Sequence, residues 1–230
     1  MVRKNSSVFI LLMLVSLVSF AHSLEDVEND LQESGRYAQF VDQPAPAFSL
    51  ADADGQVLSL SELERKVVIL NFVYTRCKEA CPLHMNLIAQ IQDGINESSL
   101  REDVMFITIA TDTEDVPATR RNMLAYGENF DFDPQNWRFL YRSEGEHAET
   151  TKQLAEAYGL NFAEAEEGVQ LHGVVTHVID QTGRMRARFH GLKFETENLI
   201  TYVNTLVEGS DTYHQSVWHR VTRFFTQVFN

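Results

Sequence analysis

From residue 44 onward, strand-like and helix-like patterns of hydrophobic and polar positions alternate along the chain, which predicts an α/β fold. Residues 66–74 form a nearly unbroken apolar run rich in β-branched side chains, which indicates a strand buried on both faces at the centre of a sheet. Further strands are predicted at 104–110, 137–141, 174–179 and 185–189, and helices at 82–95, 117–128, 146–158 and 196–207. Strands that alternate with helices of this length predict crossover connections, a largely parallel sheet ended by an antiparallel pair, and three layers.

A small β-hairpin is predicted ahead of the central strand. The apolar segments 47–50 and 57–60 flank Asp52-Ala53-Asp54-Gly55, a sequence typical of hairpin turns, and Ser61 followed by Glu62 is typical of a helix cap. Within the helix at 82–95, the apolar positions expected to pack on the sheet are Leu83, Leu87, Ile88 and Ile91.

The first 23 residues have the pattern of a secretory signal. Arg3 and Lys4 precede the apolar segment 8–20, and Ala21-His22-Ser23 has the small residues that signal peptidase cuts after. The apolar core of about 13 residues is shorter than the roughly 20 that span a bilayer, which favours a cleaved signal over a retained anchor. Residues 24–43 are polar and acidic, and we expect them to form a flexible leader before the packed domain.

The charge and the known motifs exclude several classes of function. The formal net charge of −14 argues against nucleic acid as a partner, because binding to phosphates requires an excess of Lys and Arg. The sequence also has no Gly-rich phosphate loop, nucleophile elbow or internal repeat.

The two cysteines of the chain, Cys77 and Cys81, lie between the central strand and the helix that follows it. Residues at i and i+4 of a helix share one face about 6 Å apart along the axis, so the pair can form a disulfide or bind one metal ion. We expect Cys77 to be the more acidic thiol, because backbone N–H groups at a helix N-terminus favour a thiolate. A disulfide across about five residues constrains the unfolded chain little, so the pair is predicted to be chemical rather than structural.

Two of the eight histidines are candidates for a third metal ligand. His84 follows Cys77 by seven residues and shares its helical face, although an exposed helix residue is the more frequent reason for such a position. His172 lies in a loop before a strand, where α/β sheets place their sites, although a loop histidine is more often simply solvated. His177 is expected to be half-buried and hydrogen-bonded within a strand, and Met85 to fill the core.

The residues from about Gln43 to Val207 resemble the SCO/SenC family of copper-delivery proteins. Pro46-Ala47-Phe48-Ser49-Leu50 is similar to the opening common to thioredoxin-like reductases and peroxidases. More specific are the three-residue spacer between Cys77 and Cys81 and the position of His172, eleven residues before Gly183. The chain departs from the family pattern at 78–80, in an acidic loop at 112–117 that is one residue short, and at His84.

The resemblance implies a thioredoxin-like domain at 44–208 that binds Cu(I) or Cu(II) through Cys77, Cys81 and His172. It further implies a periplasmic assembly factor that delivers copper to the binuclear copper site of cytochrome oxidase, with an upstream copper carrier or a thiol reductase as a further partner. The alternative is a thiol-disulfide reductase, in which Cys77 attacks a partner disulfide and Cys81 resolves the mixed disulfide. A reductase should tolerate His172→Ala, whereas a copper carrier should not.

Residues 209–230 are predicted to form an amphipathic helix beyond this domain. The apolar stripe of the helix consists of Val217, Val221, Phe224, Phe225 and Val228, with His219, Arg220 and Arg223 alongside. Such a helix lies at a membrane interface with its arginines near anionic head groups, or docks on its own domain.

Overall fold

The computed structural model describes residues 23–34, 37–164 and 170–209. Residues 1–22 of the predicted signal and residues 210–230 of the predicted C-terminal helix lie outside these ranges. Among the described residues, no helix is long and apolar enough to span a bilayer.

The strands and helices predicted between residues 44 and 208 are present in the predicted order, and the described chain also has a helix at 24–34 and strands at 38–44, 162–164 and 170–172 that were not predicted. The strands are β1 (Ala38–Pro44), β2 (Ser49–Asp52), β3 (Val57–Ser59), β4 (Val67–Val73), β5 (Val104–Ala110), β6 (Trp137–Tyr141), β7 (Phe162–Glu164), β8 (Gln170–His172), β9 (Val175–Ile179) and β10 (Arg184–His190). The α-helices are α1 (Leu24–Ser34), α2 (Ala80–Asn96), α3 (Val116–Gly127), α4 (Thr150–Ala157) and α5 (196–209).

The main sheet has the strand order β1-β10-β9-β4-β5-β6-β2-β3, and β7 pairs with β8 in a second, two-stranded sheet. All seven residues of β4 are buried, which confirms the predicted central strand. Only the β4–β5 and β5–β6 pairs are parallel, so the prediction of a largely parallel sheet was wrong. Short turns join β2 to β3 and β9 to β10, and a short turn permits only antiparallel pairing.

Helices cover both faces of the sheet, which confirms the predicted three-layer α/β architecture. On one face, α1, α2, α3 and α5 pack in the larger apolar cluster, with Met85 and Ile88 of α2 buried against the sheet. On the other face, α4 and the β2–β3 hairpin pack in a second cluster around Phe72 and Tyr158. The hairpin was predicted correctly. The short helical turn that follows it, Leu60–Leu63, is capped by Ser59 rather than by the predicted Ser61, and the Ser59 backbone N–H donates to Glu62 Oε2 at 2.7 Å.

The prediction that residues 24–43 form a flexible leader was wrong for its described part. Val27 and Leu31 lie one turn apart on α1, and both are buried in the larger apolar cluster. β1 then pairs with β10 at the edge of the sheet, with Ala38 opposite Phe189. Two apolar residues on one helical face therefore dock this otherwise acidic helix, together with a hydrogen bond from the Tyr202 hydroxyl to Glu28 at 3.0 Å.

Candidate metal and redox site

The two cysteines lie beyond the carboxyl end of β4. Cys81 is the second residue of α2, whereas Cys77 lies in the turn three residues before the helix begins, so the predicted shared helical face was wrong for Cys77. A turn follows the strand, in which the Cys77 N–H donates to the Tyr74 carbonyl at 2.9 Å. The Cys81 N–H then points at Cys77 Sγ over 3.5 Å, so the first sulfur lies above the first turn of the helix. Both residues are present as thiols, Cys77 half-buried and Cys81 buried.

The surroundings give the two thiols opposite acidities. Burial alone raises the pKa of Cys77, but hydrogen bonds from the backbone N–H groups of Cys81, Glu79 and Ala80 and from the Cys81 thiol bring it below its ordinary value. Burial raises the pKa of Cys81 to about 12. The predicted order of acidity is therefore confirmed, and Cys77 is the sulfur suited to act as a nucleophile.

A buried carboxylate, Asp112, fixes the turn that carries Cys77. Asp112 follows β5 and accepts hydrogen bonds from Thr75, at 2.8 Å from the backbone N–H and 2.6 Å from the hydroxyl. Burial raises the pKa of Asp112, while these bonds and the nearby Arg76 charge lower it, so the group has a raised pKa on balance. The sequence pattern places Asp112 only in an acidic loop. Its position after a strand parallel to β4 was the signal that could have assigned it to the site.

Arg76 adds a positive charge beside Cys77. Its guanidinium lies 4.8 Å from the centre of the Tyr74 ring and 3.3 Å from the Asp112 carboxylate. The side chain is about half exposed and also approaches Glu114 at 3.7 Å. The exposed Arg76–Glu114 pair contributes little to stability, so its main effect is on the charge that an approaching partner meets.

The sheet topology brings the His172 segment to the same edge. β9 runs antiparallel to β4, with Thr176 opposite Asn71, so the N-terminal end of β9 lies at the carboxyl end of β4. His172 ends β8, three residues before β9 begins. Its side chain lies outside the described part of the chain, and ligation by His172 stays a prediction.

The other candidate ligands are structural residues. His84 is buried, and its Nε2 lies 2.8 Å from Thr176 Oγ1, so the expected exposed position was wrong. His177 lies between the carbonyls of Leu70 and Tyr158, which confirms a hydrogen-bonded strand residue, although it is fully buried rather than half-buried as predicted. Met85 fills the core as expected, with its sulfur 3.4 Å from Asn71 Nδ2. Among the described side chains, no group of three His, Cys, Asp or Glu residues could hold a metal ion.

Comparisons with known proteins agree with this arrangement. A family model described as SCO1/SenC matches residues 37–208, a range that includes β1 and ends in α5. One curated relative, the SCO1 protein homolog of Bacillus subtilis (strain 168), is 27% identical over 94 residues, or 40% of this chain and 46% of the relative. The chain thus matches about half the length of this relative.

Solved structures share the fold at lower identity. A SCO1/SenC family lipoprotein from Bacillus anthracis strain Ames has a TM-score of 0.64 at 23% identity, and the match covers 73% of this chain and 97% of that one. BsSco, a Sco protein of cytochrome c oxidase assembly with a disulfide switch, has a TM-score of 0.63 at 17% identity, covering 74% and 96%. Arabidopsis thaliana ScoI with copper bound has a TM-score of 0.57 at 23% identity, covering 74% and 99%.

These structures confirm the predicted thioredoxin-like fold. The family model covers about three quarters of the sequence, including both cysteines and His172. The chain therefore belongs to the SCO1/SenC family.

Proposed function

We propose that this protein binds one copper ion through Cys77, Cys81 and His172 and delivers it to the binuclear copper site of cytochrome oxidase. The observation that carries the proposal is the pair of thiols where α2 begins, with Cys77 Sγ 3.5 Å from the Cys81 backbone nitrogen. Support comes from family members that bind copper or belong to cytochrome c oxidase assembly.

The donor chemistry fits this ion. Thiolate sulfur is a soft ligand and selects Cu(I), while an added imidazole also suits Cu(II). Both cysteines lie near the start of α2. The backbone N–H groups there favour the thiolate form of Cys77, which is the form that binds a metal ion. Copper is here the cargo of the protein, loaded by an upstream carrier and passed on to a partner.

A second function, thiol-disulfide reduction, is favoured by the different acidities of the two thiols. The Cys77 thiolate attacks a disulfide of the partner and breaks its S–S bond, which releases one partner thiolate and forms a mixed disulfide. Cys81 then loses its proton and attacks Cys77 Sγ, which releases the second partner thiolate. The partner gains two electrons, and this chain ends with a Cys77–Cys81 disulfide.

The test is a titration of reduced protein with Cu(I) under a competing chelator. We expect one copper per chain, lost on replacing Cys77, Cys81 or His172 by alanine. If the reduced protein binds no copper, while disulfide reduction depends on both cysteines and tolerates His172→Ala, the reductase function replaces the copper carrier.

The proposal places the protein in the periplasm, exported by the signal at residues 1–23. The family member from Bacillus anthracis is a lipoprotein, which supports a location at a membrane. For this chain, we propose that residues 213–230 supply a contact with an anionic membrane surface, near a membrane-embedded oxidase.

A further inference from the structure

The pairing between β4 and β9 ends where both strands approach the cysteine site. Asn71 and Thr176 form the last pair of this antiparallel ladder among the described residues. Beyond this pair, β4 leads to the turn that carries Cys77, and β9 leads back to His172 at the end of β8. The two segments that carry proposed ligands therefore separate at the Asn71–Thr176 pair.

Two consecutive residues of α2 contact this last pair. His84 Nε2 lies 2.8 Å from Thr176 Oγ1, and the Asn71 side-chain amide donates to the Met85 sulfur at 3.4 Å. All four residues are buried, with at most 2% of each exposed. The start of α2 is therefore fixed to both strands at the point where they separate.

The contact between His84 and Thr176 lies close along the chain to two proposed ligands. Cys81 and His84 are both buried residues of α2, three positions and about 4.5 Å apart along the helix axis. His172 precedes Thr176 by four positions, which span at most about 14 Å of extended chain. One buried hydrogen bond therefore joins the helix of Cys81 to the strand that follows His172, and it limits how far these two segments can move apart.

A polar pair at this position is costly unless it has a geometric role. Apolar side chains of similar size would pack α2 on β9 without the free-energy cost of burying an imidazole and a hydroxyl. A buried hydrogen bond has a narrow range of distances and angles, and satisfied buried polar groups favour one unique arrangement of the core. The pair is therefore suited to fix the position of β9 relative to α2.

We infer that His84 and Thr176 are positioning residues, which hold the His172 segment at a fixed distance from the cysteine pair and thereby favour bound Cu(II) relative to Cu(I). This inference rests on the proposed copper function. Thiolate ligands select Cu(I), whereas the added imidazole also suits Cu(II). Loosening the His172 segment should therefore weaken Cu(II) binding more than Cu(I) binding. Neither positioning residue contacts the metal in this arrangement.

The test is Thr176→Val, which removes the hydroxyl and keeps the β-branched shape of the side chain. We expect the ratio of Cu(II) affinity to Cu(I) affinity, measured with competing chelators, to fall about tenfold. A tenfold fall raises the reduction potential of the bound copper by about 59 mV, which electrochemistry measures independently. His84→Leu removes the same hydrogen bond from the helix and should shift the ratio and the potential in the same direction.

Thr176→Ser is the conservative variant, since it keeps the hydroxyl and removes a methyl group. We expect this variant to unfold at a lower urea concentration because of the small cavity, and to keep the affinity ratio and the reduction potential of the original chain. A ratio that instead follows the loss of stability in both Thr176 variants would mean that the pair acts only through packing, and the inference would be wrong.

Thr108→Val is the matched control for a buried hydroxyl. Thr108 is fully buried on β5, a strand that leads to none of the proposed ligands, and its hydroxyl donates to Asn71 Oδ1 at 2.9 Å. We expect this variant to lose stability and to keep the affinity ratio. An unchanged ratio in folded Thr176→Val, or an equal fall in Thr176→Val and Thr108→Val, would overturn the inference while leaving the proposed function intact. If the original chain binds no copper, the proposed function fails, and the inference fails with it.

Discussion

His84 Nε2 lies 2.8 Å from Thr176 Oγ1, and this contact joins the helix of the two cysteines to the strand that follows His172. Both side chains are buried, His84 at 2% exposure and Thr176 at 0%. The histidine that shares a helical face with the cysteines in sequence is therefore part of the packing between α2 and β9.

Replacing His84 should separate stability from metal binding. We expect His84→Ala to lower the free energy of unfolding by about 2–3 kcal/mol, because it leaves a cavity and removes the partner of Thr176. Copper stoichiometry should stay at one per chain. His172→Ala should show the reverse, with loss of copper and little change in urea unfolding. Loss of copper in folded His84→Ala, as measured by metal analysis after gel filtration, would mean that His84 is the ligand.

The contact between Asp112 and Thr75 should stabilise the conformation of the turn that carries Cys77. Asp112→Ala leaves the Thr75 backbone N–H and hydroxyl without their buried acceptor, and we expect a loss of about 2–3 kcal/mol of stability. Asp112→Asn keeps one acceptor oxygen and should lose less. The Cys77–Cys81 disulfide should also form more slowly in Asp112→Ala, as followed by mass spectrometry during oxidation. An equal free energy of unfolding in Asp112→Ala and the original chain would show that this contact does not stabilise the fold.

Local patterns predicted much of this fold, because a buried strand or a short hairpin is encoded in adjacent residues. The seven buried residues of β4 and the turn at Asp52–Gly55 are examples. The orientation of α2 was predicted less well. Leu83, assigned to the sheet-facing stripe, is 57% exposed, while Cys81, His84 and Met85 face inward. The apolar pattern alone did not show which side of α2 faces the sheet, because the inward side includes the polar residue His84. The partner of His84 is Thr176 on β9, which is 92 positions away in the sequence.

The candidate site was predictable only as far as its chemistry is local. The spacing of Cys77 and Cys81 predicted that they act as a pair, and the position of Cys77 near a helix N-terminus predicted that it is the more acidic thiol. Asp112 joins the site through its contact with Thr75, which is 37 positions away in the sequence, and no motif marks it. It could be assigned to the site only once β4 and β5 were known to be neighbouring parallel strands.

The two thiols should differ in reactivity toward an alkylating agent. In the reduced protein, we expect iodoacetamide to modify Cys77 first and at a pH below that needed for an ordinary cysteine, because the pKa of Cys77 is lowered. Cys81 should react only after unfolding, since it is buried and has a pKa of about 12. Peptide mass spectrometry over a pH series measures both rates. Cys77→Ser is the control, and rapid labelling of Cys81 in that folded variant would contradict the assignment.

His177 should make the fold sensitive to acid. The pKa of His177 is lowered from 6.5 to about 4, mainly by burial. The hydrogen bonds to two carbonyls raise this pKa, and the nearby Arg188 and His190 charges lower it. Between these values the unfolded chain binds more protons than the folded chain, so stability falls as the pH decreases from about 6.5 to 4. The expected loss is about 3 kcal/mol.

Urea unfolding at pH 7 and pH 4.5 measures this effect, with His177→Gln as the variant that cannot titrate there. The original chain should lose more stability than His177→Gln between the two pH values. An identical pH dependence would mean that His177 is protonated in the folded state without cost.

Oxidation of the cysteine pair should prevent copper binding while leaving the fold intact. Cys77 Sγ already lies 3.5 Å from the Cys81 backbone nitrogen, so closing the disulfide requires little movement of the backbone. A disulfide sulfur carries no thiolate charge, and copper therefore loses two of its three proposed ligands. Circular dichroism of the oxidised protein should match that of the reduced form, and Cu(I) should bind only after reduction. Stoichiometric Cu(I) binding by fully oxidised protein would show that the cysteines are not the ligands.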